Sequence, residues 1–450
     1  MELENKNKTD LGLLSEALDS GMMQQVAALV SDLNPAEIAR LIESLPPSRR
    51  DLVWSMVDED DDGEVLAELN DEVRTRLMEG MDTAELLTAT EGMELDDLAD
   101  VVADLPESVT QEVISSLSRR DRDRLESVLA YDEDSAGGLM NPTTVAVRPN
   151  VTLEVVLRYL RALGTLPDDT YSLFVVDRDD RYLGKLRISQ IVTGQSQQMV
   201  RDAMDADAQV FTAEQPATDV AREFQNLDLI SAPVVDSDGR LLGQITVDDV
   251  VDVIREQADH DILSMAGLDE EDDIFAPVVA SAWRRAIWLG VNLATAFLAA
   301  SVVGMFEATL QQVVVLAVLM PVVASMGGIA GTQTLTVMIR GMAQGRVEDS
   351  NARWLFRKEV AVGVLNGIAW AAIVTLITVT FFSNWDVGLV IGAAVAINLV
   401  IAAFTGVLVP LILRRLRIDP ALAGGVVLTT VTDVVGFITF LGLGTLFLTG

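Results

Sequence analysis

The spacing of apolar residues changes character along the chain. Over residues 11–130 they recur every three to four positions, the period of an amphipathic helix. LNPAEIARLIESLP (33–46) returns as ELDDLADVVADLP (94–106), and apolar positions 38, 41 and 42 return at an offset of 60 as 98, 101 and 102. Helices repeated in this way, with prolines at their ends, predict a small superhelix of stacked pairs. Within 143–255 the pattern becomes short apolar runs broken by aspartate-rich turns. FVVDRDDRYLGKLRISQIV (174–192) matches PVVDSDGRLLGQITVDDVV (233–251) at an offset of 59, and each copy reads strand, turn, strand, helix start. The stretch 251–275 is amphipathic and predicts a connecting helix. Five long apolar stretches follow, roughly 284–305, 311–338, 360–382, 387–413 and 422–448. Each is long enough to cross about 30 Å of hydrocarbon as a helix.

The predicted fold is therefore multi-domain. An all-α helical-repeat domain spans 1–131, an α/β tandem repeat 132–255, a connecting helix 256–280 and a five-helix transmembrane domain 281–450. Loop charges orient the last part. Arg284 and Arg285 precede span one, Arg346, Arg353, Arg357 and Lys358 separate spans two and three, and Arg414, Arg415 and Arg417 separate four and five. The alternate loops hold only Glu307 and Asp386, so the large N-terminal region is expected on the cytoplasmic side.

Two spans carry polar chemistry. Span two contains PVVASMGGIAGTQTLTVMIRG (321–341). Its proline and its glycines at 327, 328 and 331 admit two readings: close helix packing through small residues, or an interrupted helix beside a polar path. Span five has Gly424, Gly425, Thr429 and Thr430 ahead of Asp433. A carboxylate at that depth costs roughly 2.5–3.5 kcal/mol and commonly marks an ion pathway. The alternative is a neutral carboxyl held by Thr429 or Thr432. No Lys, Arg or His lies deep in any span, which leaves a passing cation as the counter-charge. A two-fold dimer would set two such aspartates around one axis, with Gly328 and Thr429 lining the path.

Charge sharpens the division. Of 68 acidic residues only seven follow position 275, against ten of the 32 basic ones, so the last part carries +3 and the first 275 residues −39. That balance argues against nucleic acid and suits cations. Cysteine is absent, which removes disulfides, thiolate metal sites and cysteine nucleophiles. The polar N-terminus MELENKNKTD has no apolar core of a signal peptide. No nucleophile–base pair or Walker A loop stands out, so an enzyme is not expected. His260, the only histidine, has no second His or Cys to support a metal site.

The 59-residue repeat resembles tandem cystathionine-β-synthase (CBS) domains, which often bind adenine nucleotides. Gly243, Thr246 and Asp249 form a G-x-x-T-x-x-D pattern similar to the ribose-binding one, whereas the first copy has Arg187 and Gln190 in the last two places. A turn feeding a helix cap explains the same residues without a ligand. Together with YDEDSAGGLM (131–140), PVVASMGGIAGTQ in span two and TTVTDVVGF in span five, the order of modules resembles the MgtE family of magnesium channels. The resemblance implies a homodimer in a bacterial inner membrane that carries Mg²⁺ inward, with Asp433 as pore aspartate. It also implies regulatory Mg²⁺ at Asp96, Asp100, Asp228, Asp249, Asp252, Asp259 and Asp261, with ATP or another adenine nucleotide as a further regulator. Ile329, where the family usually has Asn, and Val426, where it commonly has Pro, depart from the pore pattern, and Gln257 and His260 replace acidic residues typical of the connecting helix. A broader pathway for Mn²⁺, Co²⁺ or Ni²⁺ is one alternative. A membrane-anchored nucleotide sensor is another.

Overall fold

The computed structural model describes residues 17, 20, 22–167, 170–268, 275–347 and 349–449. The segment MELENKNKTD and the acidic end of the connecting stretch, 269–274, lie outside the described residues. The chain forms two compact units, one of Met1–Gln257 with Glu271–Ala276 and one of Ala258–Glu270 with Pro277–Gly450.

In the first unit short helices follow one another from Met23 to Val128, and no strand interrupts the described residues before Ala146. The two predicted repeat helices are Pro35–Glu43 and Leu95–Ala103. Asn34 opens the first with a reciprocal cap: its side chain accepts from Glu37 N, and Glu37 accepts from Asn34 N. The buried Arg50 closes the same helix, as its Nε donates to the carbonyls of Ile42 and Leu45. Arg122 does the same at Ile114, with the charge placed where the helix dipole favours it.

The tandem repeat folds as predicted. Strands β1 (Ala146–Val147), β2 (Ser172–Val176) and β3 (Tyr182–Arg187) form one sheet, and β4 (Phe211–Thr212), β5 (Ser231–Val235) and β6 (Leu241–Thr246) form the other. In each, a parallel pair is followed by an antiparallel pair; Ser172 faces Arg187 where Ser231 faces Thr246, so the 59-residue offset carries through the register. Asp177 accepts from the amides of Asp179 and Arg181, and Asp236 from those of Asp238 and Arg240, which explains the aspartate-rich turns. The first copy keeps its own apolar cluster around Leu153, Leu173 and Leu186. The second shares one core with the helical domain, in which Leu98 and Val101 belong with Phe211, Phe224, Ile245 and Val250.

One helix, Val247–Ser264, runs out of the second repeat and through the boundary expected at 256. The second unit holds five helices long and apolar enough to cross a membrane: Ser281–Gly304, Val315–Ala343, Ser350–Phe382, Trp385–Arg415 and Pro420–Leu448. The second starts later than the expected 311, because the polar Glu307–Gln312 stretch forms a short separate helix. It is also unbroken, against the interrupted reading. Pro321 lies near its start with the remaining turns following in register, so the proline removes a single donor close to the helix end. The fourth span is central, with Ile391, Ala394, Val395, Asn398 and Ala402 all buried.

Candidate ion cleft and acidic interface

Helix periodicity puts Thr429 and Asp433, four residues apart, on one face of the fifth span. Ser325, Gly328, Ile329, Thr332 and Gln333 make the matching face of the second. These residues, with Ala324, line an open cleft of about 510 Å³. The glycines at 327, 328 and 331 divide between the two readings. Gly327 and Gly331 are packing positions, where a Cβ would run into Asn398 and Leu428, whereas one at Gly328 would meet nothing within 4 Å. Gly328 thus opens onto the cleft.

The hydroxyls answer the question of a neutral carboxyl. Thr429 Oγ1 donates to the carbonyl of Gly425 at 3.0 Å, and the buried Thr432 Oγ1 donates to Leu428 at 3.1 Å. Both protons are used within the helix. Among the described residues none forms a hydrogen bond or ion pair with Asp433. Thr332 likewise donates to Gly328 O at 2.9 Å. Bonded in this way, the Thr332 and Thr429 hydroxyls have no proton to spare for Asp433.

The cytosolic candidates converge in part. Asp96, on the Leu95–Ala103 helix, lies beside Asp249, on the first turn of Val247–Ser264, with Asp97 and Glu94 close by. Burial first, then these like charges, push Asp96 up to about 8. Its Oδ1 is buried without a hydrogen-bond partner. Asp249 is pushed up to about 7, again chiefly by burial, although Thr246 holds its Oδ2 through both N and Oγ1 at 2.9 Å. Asp97 rises to about 6 and Asp100 to about 7 by the same desolvation, though each keeps a well-exposed edge; Arg74 opposes the rise at both. Asp252 is raised too, and it raises Glu68 in turn.

Asp228, Asp259 and Asp261 are not among the leading charges acting on Asp96, Asp97, Asp100 or Asp249. Asp228 is the exposed left-handed cap of Ala217–Leu227 (φ 50°). Asp259 and Asp261 belong to the second unit, as does His260, whose Nε2 is 3.4 Å from Asp419 Oδ2 and 3.4 Å from Ser264 Oγ. Asp419 was not singled out in the sequence; its place just before Pro420, as cap of the fifth span, was the available signal. Ser325, Thr332 and Gln333 were also missed, although steps of three and four from Gly328 reach the first two. Gly243 is needed where β6 meets the preceding loop, since a Cβ there would sit 2.7 Å from Asn141 O. With Thr246 and Asp249 joined in a helix cap, the three nucleotide candidates have full local roles.

Among the described residues no three His, Cys, Asp or Glu side chains gather to hold a bare metal ion. The sites on offer suit an ion that keeps most of its water, as Mg²⁺ does.

Comparison with known proteins gives consistent matches along the chain. The family profile MgtE, described as a divalent cation transporter, matches residues 320–443; the MgtE intracellular N domain matches 33–134 and the CBS domain 200–256. The magnesium transporter MgtE of Thermus thermophilus is 30% identical over 97% of this chain and 98% of its own. This chain belongs to the MgtE family. The Bacillus subtilis magnesium transporter MgtE is 26% identical, covering 96% of both chains. A solved cytosolic domain of the Mg²⁺ channel MgtE in complex with ATP is 31% identical, covering 53% of this chain and 98% of that one with a TM-score of 0.48.

The MgtE profile contains every cleft-lining residue, and the N-domain profile contains Asp96 and Asp100. The CBS match covers the second repeat, the copy that shares its core with the helical domain. As a member of the MgtE family the chain is a multi-pass membrane protein, and its class is a transporter.

Proposed function

We propose that this protein carries Mg²⁺ into the cytoplasm down its electrochemical gradient, through a path lined by Asp433, Thr429 and Gly328. The observation that carries the reading is Asp433 itself, a carboxylate in an open cleft with no partner among the described residues. A hydrated divalent cation supplies the missing counter-charge. The ion's waters donate to the carboxylate and to hydroxyl oxygens, so its shell need not be stripped. An inside-negative potential of ~100 mV contributes about 4.6 kcal/mol to entry of two charges. A homodimer in a bacterial inner membrane would place two Asp433 side chains on the shared axis, with the N-terminal domains cytoplasmic.

Gating follows from the acidic interface. Without cytosolic Mg²⁺, ionisation of the buried Asp96 and Asp249 beside Asp97 is costly and loosens the contact. Mg²⁺ between them, reached by the orphaned Asp96 oxygen, favours a compact state in which the pathway closes. Asp100 and Asp252 reinforce that field, and Asp228, Asp259 and Asp261 extend the regulatory set. This is a population shift, so the ion must bind the compact state more tightly. An adenine nucleotide regulator rests on the Gly243–Thr246–Asp249 pattern alone; ATP that leaves thermal stability unchanged removes it.

The test is flux into liposomes for wild type beside Asp433→Ala and Asp433→Asn, at varied internal Mg²⁺. Uptake that falls with both substitutions and with internal Mg²⁺ supports the reading; uptake indifferent to both substitutions overturns it. A second reading, broader transport of Mn²⁺, Co²⁺ or Ni²⁺, is favoured by one observation: apolar Ile329, 58% exposed, lines the cleft.

A further inference from the structure

Asn398 lies midway along the fourth span, which contributes no residue to the cleft. It is 0% exposed. Its Nδ2 donates to the carbonyl of Val323 on the second span at 2.9 Å, and its Oδ1 is buried without a partner. A buried amide half satisfied in an apolar bundle is costly, so burial alone does not account for it. Its contacts give the reason. A Cβ at Gly327 would overlap the Asn398 amide, and one at Gly436 would lie 2.8 Å from Nδ2. Both cleft helices therefore carry a glycine where this amide wedges between them. These contacts adjoin the cleft on both sides: Val323 precedes Ala324, Gly327 precedes Gly328, and Gly436 is one turn beyond Asp433.

We propose that Asn398 is a positioning residue that sets the separation of the second and fifth spans, and through it which hydrated cation the cleft accepts. The hydrogen bond to Val323 fixes the height and rotation of one cleft helix, and the fit against Gly436 fixes the distance to the other. Packed interfaces move in discrete steps, so loss of the wedge resets the cleft instead of blurring it. The effect on ions rests on the transport reading above; the effect on helix spacing does not.

The chain has no cysteine, so spin labels on Ser325→Cys and Thr429→Cys report the cleft width without background. The full-length protein is compared with Asn398→Leu, close in size but without the donor, and with Asn398→Ala, which leaves space instead of strain. The expected result is a label distance shifted by about 2 Å in the Leu variant, with the Mg²⁺-to-Co²⁺ uptake ratio changed about 10-fold. Adding Gly327→Ala should disrupt the cleft in the wild-type background and be tolerated beside Asn398→Ala, where the clashing amide is gone. Unchanged label distances in both Asn398 variants overturn the proposal whatever the flux. Shifted distances with an unchanged ion ratio, while Asp433→Ala is inactive, overturn its selectivity half. Full flux in Asp433→Ala sinks the transport reading, and the distances still decide the role of Asn398.

Discussion

The acidic interface and the membrane cleft use the same side chain in opposite ways. At the interface, burial first and then neighbouring carboxylates make Asp96, Asp97 and Asp249 hold their protons to higher pH than a free aspartate. In the cleft a single Asp433 meets hydroxyls already bonded to their own helix. On the proposed reading, a buried and crowded cluster is a site that changes shape when an ion arrives and whose affinity varies with pH. Isolation builds a site that an ion can enter and leave, since one carboxylate through a water shell binds weakly enough for release. On that reading, sensing and passage separate by burial and by the number of neighbours.

The largest effect that would break this contrast is at Asp433. Its replacement by Ala should cut Mg²⁺ uptake by about two orders of magnitude, the factor that ~2.7 kcal/mol represents. Asn should retain part of the flux, because the amide oxygen still accepts from hydration waters.

The interface comes next, through its pH dependence. Folded pKa values of about 8 for Asp96 and about 7 for Asp249 stand above the unfolded 3.8. Protonation therefore favours the folded interface. Stability is fully present below pH ~4 and is lost as pH rises toward 7–8. Mg²⁺ takes the place of those protons, so its stabilisation should be larger at pH 8 than at pH 6. It should approach about 2.7 kcal/mol at a hundredfold excess over Kd. Thermal scans of the full-length protein at both pH values, with and without Mg²⁺, measure this. Asp96→Asn should raise stability without Mg²⁺ by about 1 kcal/mol and flatten the Mg²⁺ response. A variant as Mg²⁺-sensitive as wild type would show that Asp96 is not part of the sensor.

The smallest effect concerns Ile329. Asn there should improve discrimination of Mg²⁺ over Co²⁺ by a few-fold, about 1 kcal/mol, as read by competition in the flux assay. An unchanged ratio removes Ile329 as a source of breadth.

Much of this was legible in the sequence because it depended on local spacing. The 59-residue repeat reappears in strand register, and the four-residue step from Thr429 to Asp433 put both on the cleft face. What escaped depended on partners far away in the chain. Asp96 meets Asp249 only because the helical domain and the second repeat share a core. Asn398 looks like a stray polar residue in an apolar run until Gly327 and Gly436 close on it. Pro321 left packing and interruption both open, and its place near a helix start, with a bundle packed beyond it, outweighed its reputation as a breaker.

The core shared by the helical domain and the second repeat bears on synthesis of the chain. Leu98 and Val101 have to wait for Ile245, Val250 and Val253 before their cluster is complete. The first repeat, with its own cluster around Leu173, can fold while the ribosome is still making its twin. Domains generally form as units from the N-terminus, yet here the earliest segment finishes late, shortly before Ser281 opens the first membrane span. The nascent helical segment therefore carries exposed apolar surface through much of translation. Chaperone dependence should centre on that interval, and a chain truncated just before β5 should aggregate where one ending after Val253 does not.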